Sequence, residues 1–166
     1  GRSRDGVRLL RAAQQTGLPT AEHAIASFYL ELAESTWSGS ATIRDFARIA
    51  RELVTGGEGR RALEALGTVS VRAYWERLDE RTRREIAAIS DEIAAPADDP
   101  LRMRVLGLID PIGRGMQVVE QVARLSPVGM SDPEQLFSVG VAAASVWADT
   151  LSLPFLQAAA ALARAN

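Results

Sequence analysis

One histidine, no cysteine and no lysine limit the chemistry open to this chain of 166 residues. Without thiols there is no disulfide, no cysteine nucleophile and no cysteine-bound metal. Without lysine there is neither a Schiff base nor a phosphate-loop lysine. His23 alone cannot provide the paired histidines of a di-iron carboxylate bundle or of a histidine zinc motif. A serine triad would have to use it, and the sequence has no G-x-S-x-G elbow. Beside Thr20 and Glu22, His23 reads as a partly exposed residue in a first helical turn. Its one claim to function is that imidazole titrates near neutrality. No metal and no cofactor are expected.

What remains is the chemistry of arginine and carboxylates. The loop Thr55-Gly56-Gly57-Glu58-Gly59-Arg60-Arg61 leads into a helical pattern, and Arg60, Arg61 and free backbone N–H groups are the parts of an anion cradle. Glu58 stands where the anion would sit, so the loop reads first as a helix stop and restart. The run WERLDERTRRE (75–85) balances its charges at i,i+3 and i,i+4 spacing, the mark of a solvated helix face. Residues 42–66 have the outline of a helix-turn-helix, but the turn is long and the second helix offers few base-reading side chains. With a net charge of -2 the chain also lacks the basic field that nucleic acid requires. RREIAAISDEIAA (83–95) resembles the opening helix of helical chorismate mutases, which clamp a dicarboxylate electrostatically. The later polar residues depart from that family's spacing, so the activity does not carry over.

Apolar residues recur at helical spacing along most of the chain. Ala21, Ala24, Ile25, Phe28 and Leu32 predict a helix over 20–35, capped by Thr20. Ile43, Phe46, Ala47, Ala50, Leu53 and Val54 predict another from Thr42, with Asp45 completing a weak capping box and Gly56-Gly57 ending it. A short helix is expected over 60–66. TVSVRAYWERL (68–78) alternates like a strand in its first half, but it has no second strand to pair with and is read as helix. Residues 79–95 carry Ile86, Ile89 and Ile93 on one side. Three Asp-Pro pairs, Asp99-Pro100, Asp110-Pro111 and Asp132-Pro133, predict helix starts near 100, 111 and 133, each with Asp as N-cap and Pro in the first turn.

From Leu136 to Ala163 the only charge is Asp149. Its polar dilution, its alanine content and Pro154 argue for a buried central helix and a short terminal one rather than a membrane span. Between 111 and 125 two apolar stripes, Ile112/Met116/Val119/Ala123 and Val118/Val122/Leu125, predict a helix buried by more than one neighbour. Gly140 and Ala144 are spaced for close backbone approach or for leaving room for an apolar ligand. Trp147 is expected to point into the core, and Asp149, about 200° around the same helix, to mark a wet edge. Met116, Gly140, Ala144, Trp147 and Asp149 are thus the candidate ligand or interface residues, with His23, Arg60 and Arg61 behind them.

The expected fold is an all-α, compact single-domain bundle of about seven to nine helices around an apolar helix near 133–150. APADDP (95–100) is a possible internal boundary. The leading functional expectation is a non-enzymatic interaction domain that forms a homo-oligomer or docks a helical protein partner. The alternative is a domain for an apolar small molecule or apolar surface, the class that includes phasins of polyester granules, although no phasin motif occurs. A cofactor-free Arg/Glu enzyme ranks third. GRSRDG at the start lacks the apolar region of a secretory signal, which makes the cytoplasm the expected location.

Overall fold

The computed structural model describes residues 2–34, 40–76 and 78–165, and among them all regular structure is α-helical, in nine helices. They fall into two compact units, Gly1–Ala94 and Ala95–Asn166.

The first unit holds α1 (Arg2–Gln14), α2 (Thr20–Glu34), α3 (Ser40–Thr55), α4 (Gly59–Trp75) and α5 (Glu80–Glu92). α3 packs against α2, α4 and α5, and its stripe of Ile43, Phe46, Ile49, Ala50 and Leu53 is buried. Phe28 of α2 meets Phe46 edge-on, with ring centroids 5.8 Å apart. The end of the predicted 20–35 helix and the side chains of Leu32 and Thr42 lie outside the described residues.

α3 stops as its glycines predict. Gly57 has φ +81°, its N–H donates to the Val54 carbonyl at 3.0 Å, and the Glu58 N–H donates to Leu53 at 2.8 Å. This is a Schellman motif with glycine at the left-handed position. Two expectations are corrected in this unit. The piece 60–66 and most of 68–78 form one helix, α4, which ends at Trp75, because Leu63, Leu66, Val69 and Ala73 continue a single buried stripe through Gly67. Also, α1 precedes the first predicted helix. Its polar composition hid it from a search for apolar stripes.

The second unit holds α6 (Pro100–Ile109), α7 (Gly115–Val122), α8 (Pro133–Ser145) and α9 (Asp149–Ala165). α8 packs against all three of the others. Their shared core contains Met103, Leu106, Val118, Val122, Leu136, Val139, Phe155 and Ala159. Two glycines permit the approach. A Cβ on Gly107 would lie 2.5 Å from Ser145 Oγ and 3.1 Å from the Ala142 carbonyl oxygen, and one on Gly140 would lie 2.6 Å from Leu156 Cδ2. No described helix is long and apolar enough to cross a membrane.

Two of the three Asp-Pro pairs start helices. Asp99 accepts from the Leu101 and Arg102 N–H groups at 2.9 and 3.1 Å, and Asp132 accepts from Glu134 at 2.9 Å. Asp110 instead ends α6, and its carboxylate accepts from Gly113 N–H at 2.9 Å. The turn so closed delays α7 to Gly115, since Gly113 and Gly115 are poor residues with which to nucleate a helix. The break in the apolar run also moves. Pro154 sits inside α9 and the chain turns at 146–148 instead. As the sixth residue of α9, Pro154 forfeits the i→i−4 bond to the Thr150 carbonyl, but both residues are exposed, where water can take the place of the missing donor.

Asp99→Ala and Asp132→Ala should each cost about 0.5–2 kcal/mol in urea unfolding, and Asp110→Ala less, because its side chain caps no helix start. Asp79, the N-cap of α5, is held below the usual carboxylate range, first by the Thr82 N–H and then by the Thr82 hydroxyl. A depressed folded pKa means stability present above the unfolded value near ~3.9 and lost as pH falls through the folded one. Stability measured against pH should therefore decline less steeply below about pH 4 in Asp79→Asn than in the parent.

Candidate functional site

The weaker sequence candidates resolve into ordinary surface. His23 is exposed near the start of α2. Arg61 pairs with Glu58 at 3.1 Å and Arg60 with Glu64 of α4 at 3.4 Å, both exposed, so neighbouring carboxylates occupy the guanidinium groups proposed for an anion. Among the described residues no three His, Cys, Asp or Glu side chains gather as a metal would need.

The second unit holds what remains. Gly140 is buried under Leu156, where α8 and α9 touch, and its carbonyl accepts from the buried Ser152 hydroxyl at 2.8 Å. Ala144, four residues on, is exposed, so the small-residue pair does not share one packed face. Only one of the two stripes at 111–125 is buried, through Val118 and Val122. Ile112 and Met116 are 88% and 72% exposed. Both belong to the stripe that the sequence pattern predicts to be buried, and the structure corrects this. α7 is only 8 residues long and turns one side to the α6–α8 layer, so its opposite side faces out. Asp149 is exposed as the first residue of α9, where the helix dipole favours a carboxylate.

Trp147 overturns its expectation most clearly, being 68% exposed. α8 ends at Ser145, so Trp147 and Asp149 never share a helix and the angular argument between them does not apply. The Trp147 N–H donates to the Ala144 carbonyl at 3.0 Å and the Ala148 N–H to Ala143 at 2.9 Å. This is the same Schellman closure that ends α3. Here the left-handed position, φ +60°, holds tryptophan where α3 has glycine. It is the one non-glycine residue with positive φ among those described. Left-handed backbone costs an L-residue about 1–2 kcal/mol. At 68% exposure the indole gains little from folding, since realistic unfolded chains already hide roughly 10–40% of such surface.

A groove of about 630 Å³ lies at the other end of α8, lined by Pro133, Glu134 and Phe137 of α8, Leu156, Ala159, Ala160 and Ala163 of α9, and Arg104 of α6. Arg104 is only 9% exposed, and its Nη1 donates to Ser138 Oγ at 3.2 Å. Burial pulls its pKa down and the Glu134 carboxylate opposes that shift. A guanidinium titrates so high that it stays charged regardless. None of these groove residues stood among the sequence candidates. The signal was an arginine embedded in the apolar stretch LRMRVLGLI, seven of whose nine residues are apolar or glycine.

Family models, curated proteins and solved structures all returned no match to this chain.

Trp147→Gly should raise the unfolding free energy of dilute protein by up to about 1.5 kcal/mol, the left-handed cost of about 1–2 kcal/mol less glycine's extra entropy of about 0.5–1 kcal/mol. Gly140→Leu should lower it by roughly 1–3 kcal/mol or more through overpacking against Leu156. Urea titrations of the two variants would show whether the signs are opposite, and a destabilised Trp147→Gly would contradict the strain.

Proposed function

We propose that this chain is a non-enzymatic helical interaction domain that self-associates through its second unit. The observation behind this reading is the outward side of the run from Leu136 to Ala163. Phe137, Ala144, Trp147, Leu153, Ala160 and Ala163 are all exposed there, and Asp149 is the sole charge. On α8, Phe137, Val141 and Ala144 follow i, i+4, i+7 spacing. Leu153, Leu156 and Ala160 follow i, i+3, i+7 on α9. A helix face left to water is ordinarily charged, as the outer sides of α3 and α5 are. Contiguous exposed apolar surface marks a binding face.

The groove beside Arg104 supports a second reading, a small apolar molecule with a polar end. Its volume falls in the usual range for ligand sites, but it is open, and small-molecule sites typically bury about 70–90% of their ligand. An open, elongated surface of this kind suits another protein chain better.

Sedimentation velocity over a wide concentration range tests the proposal. The parent chain should move from monomer towards dimer as concentration rises, and Leu153→Glu should remain monomeric. A parent that is monomeric throughout would refute self-association, and one that is monomeric with a co-purifying small molecule in native mass spectrometry would favour the second reading.

A further inference from the structure

We infer that the Trp147 indole of each chain docks into the groove beside Arg104 of a second copy, giving a twofold dimer with two equivalent contacts. The inference rests on the self-association proposed above and specifies its geometry. Its starting point is the strained backbone. The α3 stop shows that this fold closes the same motif with glycine at φ +81°, whereas α8 closes it with tryptophan at φ +60°. Strain retained in a folded chain points to a use outside the local fold. Here two hydrogen bonds, to the Ala144 and Ala143 carbonyls, close the backbone turn that carries the indole, so little backbone ordering remains to be done when it binds. Tryptophan is also one of the residue types enriched among interface anchors.

The occupant's chemistry matches the groove. Phe137, Leu156, Ala160 and Ala163 offer apolar walls, and the small alanines leave room for a bulky ring. Arg104 adds a buried cation. Its Nη1 donates to Ser138, which anchors the cation at the groove wall. Cation–π attraction is strongest for tryptophan and grows as water is excluded. A free anion is the poorer fit, because Glu134 lines the same groove and would repel it.

Placement selects a second copy as the partner. The groove takes in the N-terminal turn of α8, and Trp147 follows the C-terminal end of the same 13-residue helix, about 20 Å away. The stripe of Phe137, Val141 and Ala144 runs between them. Two such hairpins laid antiparallel about a twofold axis put each indole at the other's groove, the self-complementary arrangement that a twofold interface requires. A two-helix face of this length sits at the low end of stable interface sizes, so association should depend on concentration.

The test is complementation in sedimentation equilibrium. Trp147→Gly removes the indole and leaves the groove, while Ala160→Glu places a charge in the groove at an exposed helical position and leaves the indole. Each variant alone should associate at least about tenfold more weakly than the parent. An equimolar mixture should recover part of that loss, because the heterodimer retains one intact contact. Circular dichroism melts of both variants would confirm that they are folded. A dimeric parent with unchanged Trp147→Gly or Ala160→Glu would overturn the docking geometry and leave self-association standing. Failure of the mixture to recover would overturn the reciprocal pairing. A monomeric parent would remove both proposals.

Discussion

Close approach of α8 to both α6 and α9 is the constraint on which the second unit depends. At Gly107 and at Gly140 there is no room for a Cβ, and the space that side chains would fill is taken by the neighbouring helix. Backbone this close leaves few ways to satisfy the polar groups nearby, and three serines meet the need. Ser152 donates to the Gly140 carbonyl, Ser145 to the Ala142 carbonyl, and Ser138 accepts from Arg104. Each bond is individually worth about 0.5–1.5 kcal/mol, but leaving the same groups buried and unmade would cost about 1–3 kcal/mol each. The serines that dilute the apolar run are therefore part of its packing.

That packing also explains why so much of the run faces outward. Alanine and glycine cover little area, so a helix built from them buries its inner face without needing large neighbours on its outer one. Leu136, Val139 and Phe155 supply the bulk of the core, and Phe137, Leu153 and Trp147 are left on the surface. The first unit has a different economy. α3 and α5 have apolar inner stripes and charged outer faces with ion pairs such as Arg48–Glu52 and Arg84–Glu80. Exposed pairs of that kind add little stability, but they keep an outer face in water. The second unit's hairpin lacks that protection along its length, and this contrast underlies the functional proposal.

Arg104 links the packing to the proposed surface. A guanidinium with 9% exposure must be held by hydrogen bonds and by a nearby carboxylate, which Ser138 and the field of Glu134 provide from the same helix. Both belong to the first turns of α8, whose start is set by the Asp132 cap. The cap, the arginine and the groove are thus mechanically one feature. A shift in where α8 begins would move Glu134, Ser138 and Phe137 together.

The amino-acid sequence by itself determined the all-helical class, because period-3.6 stripes and missing strand partners are local properties. It also determined the stop at Gly56-Gly57 and the caps at Asp99 and Asp132, where a side chain or a glycine acts on backbone within three residues. Where an outcome depended on neighbours, the tertiary structure decided it. Asp110-Pro111 carries the same local signal as the other two pairs, yet its carboxylate closes a turn on Gly113. Met116 and Trp147 look like core residues by composition, and only the limited reach of α7 and the turn at 146–148 put them outside. Ala144 and Gly140 share a spacing but not a face once α9 chooses which to cover. The groove was invisible for the same reason. Its lining comes from three helices separated by up to 59 positions in sequence, from Arg104 to Ala163, and proximity of that kind exists only after folding.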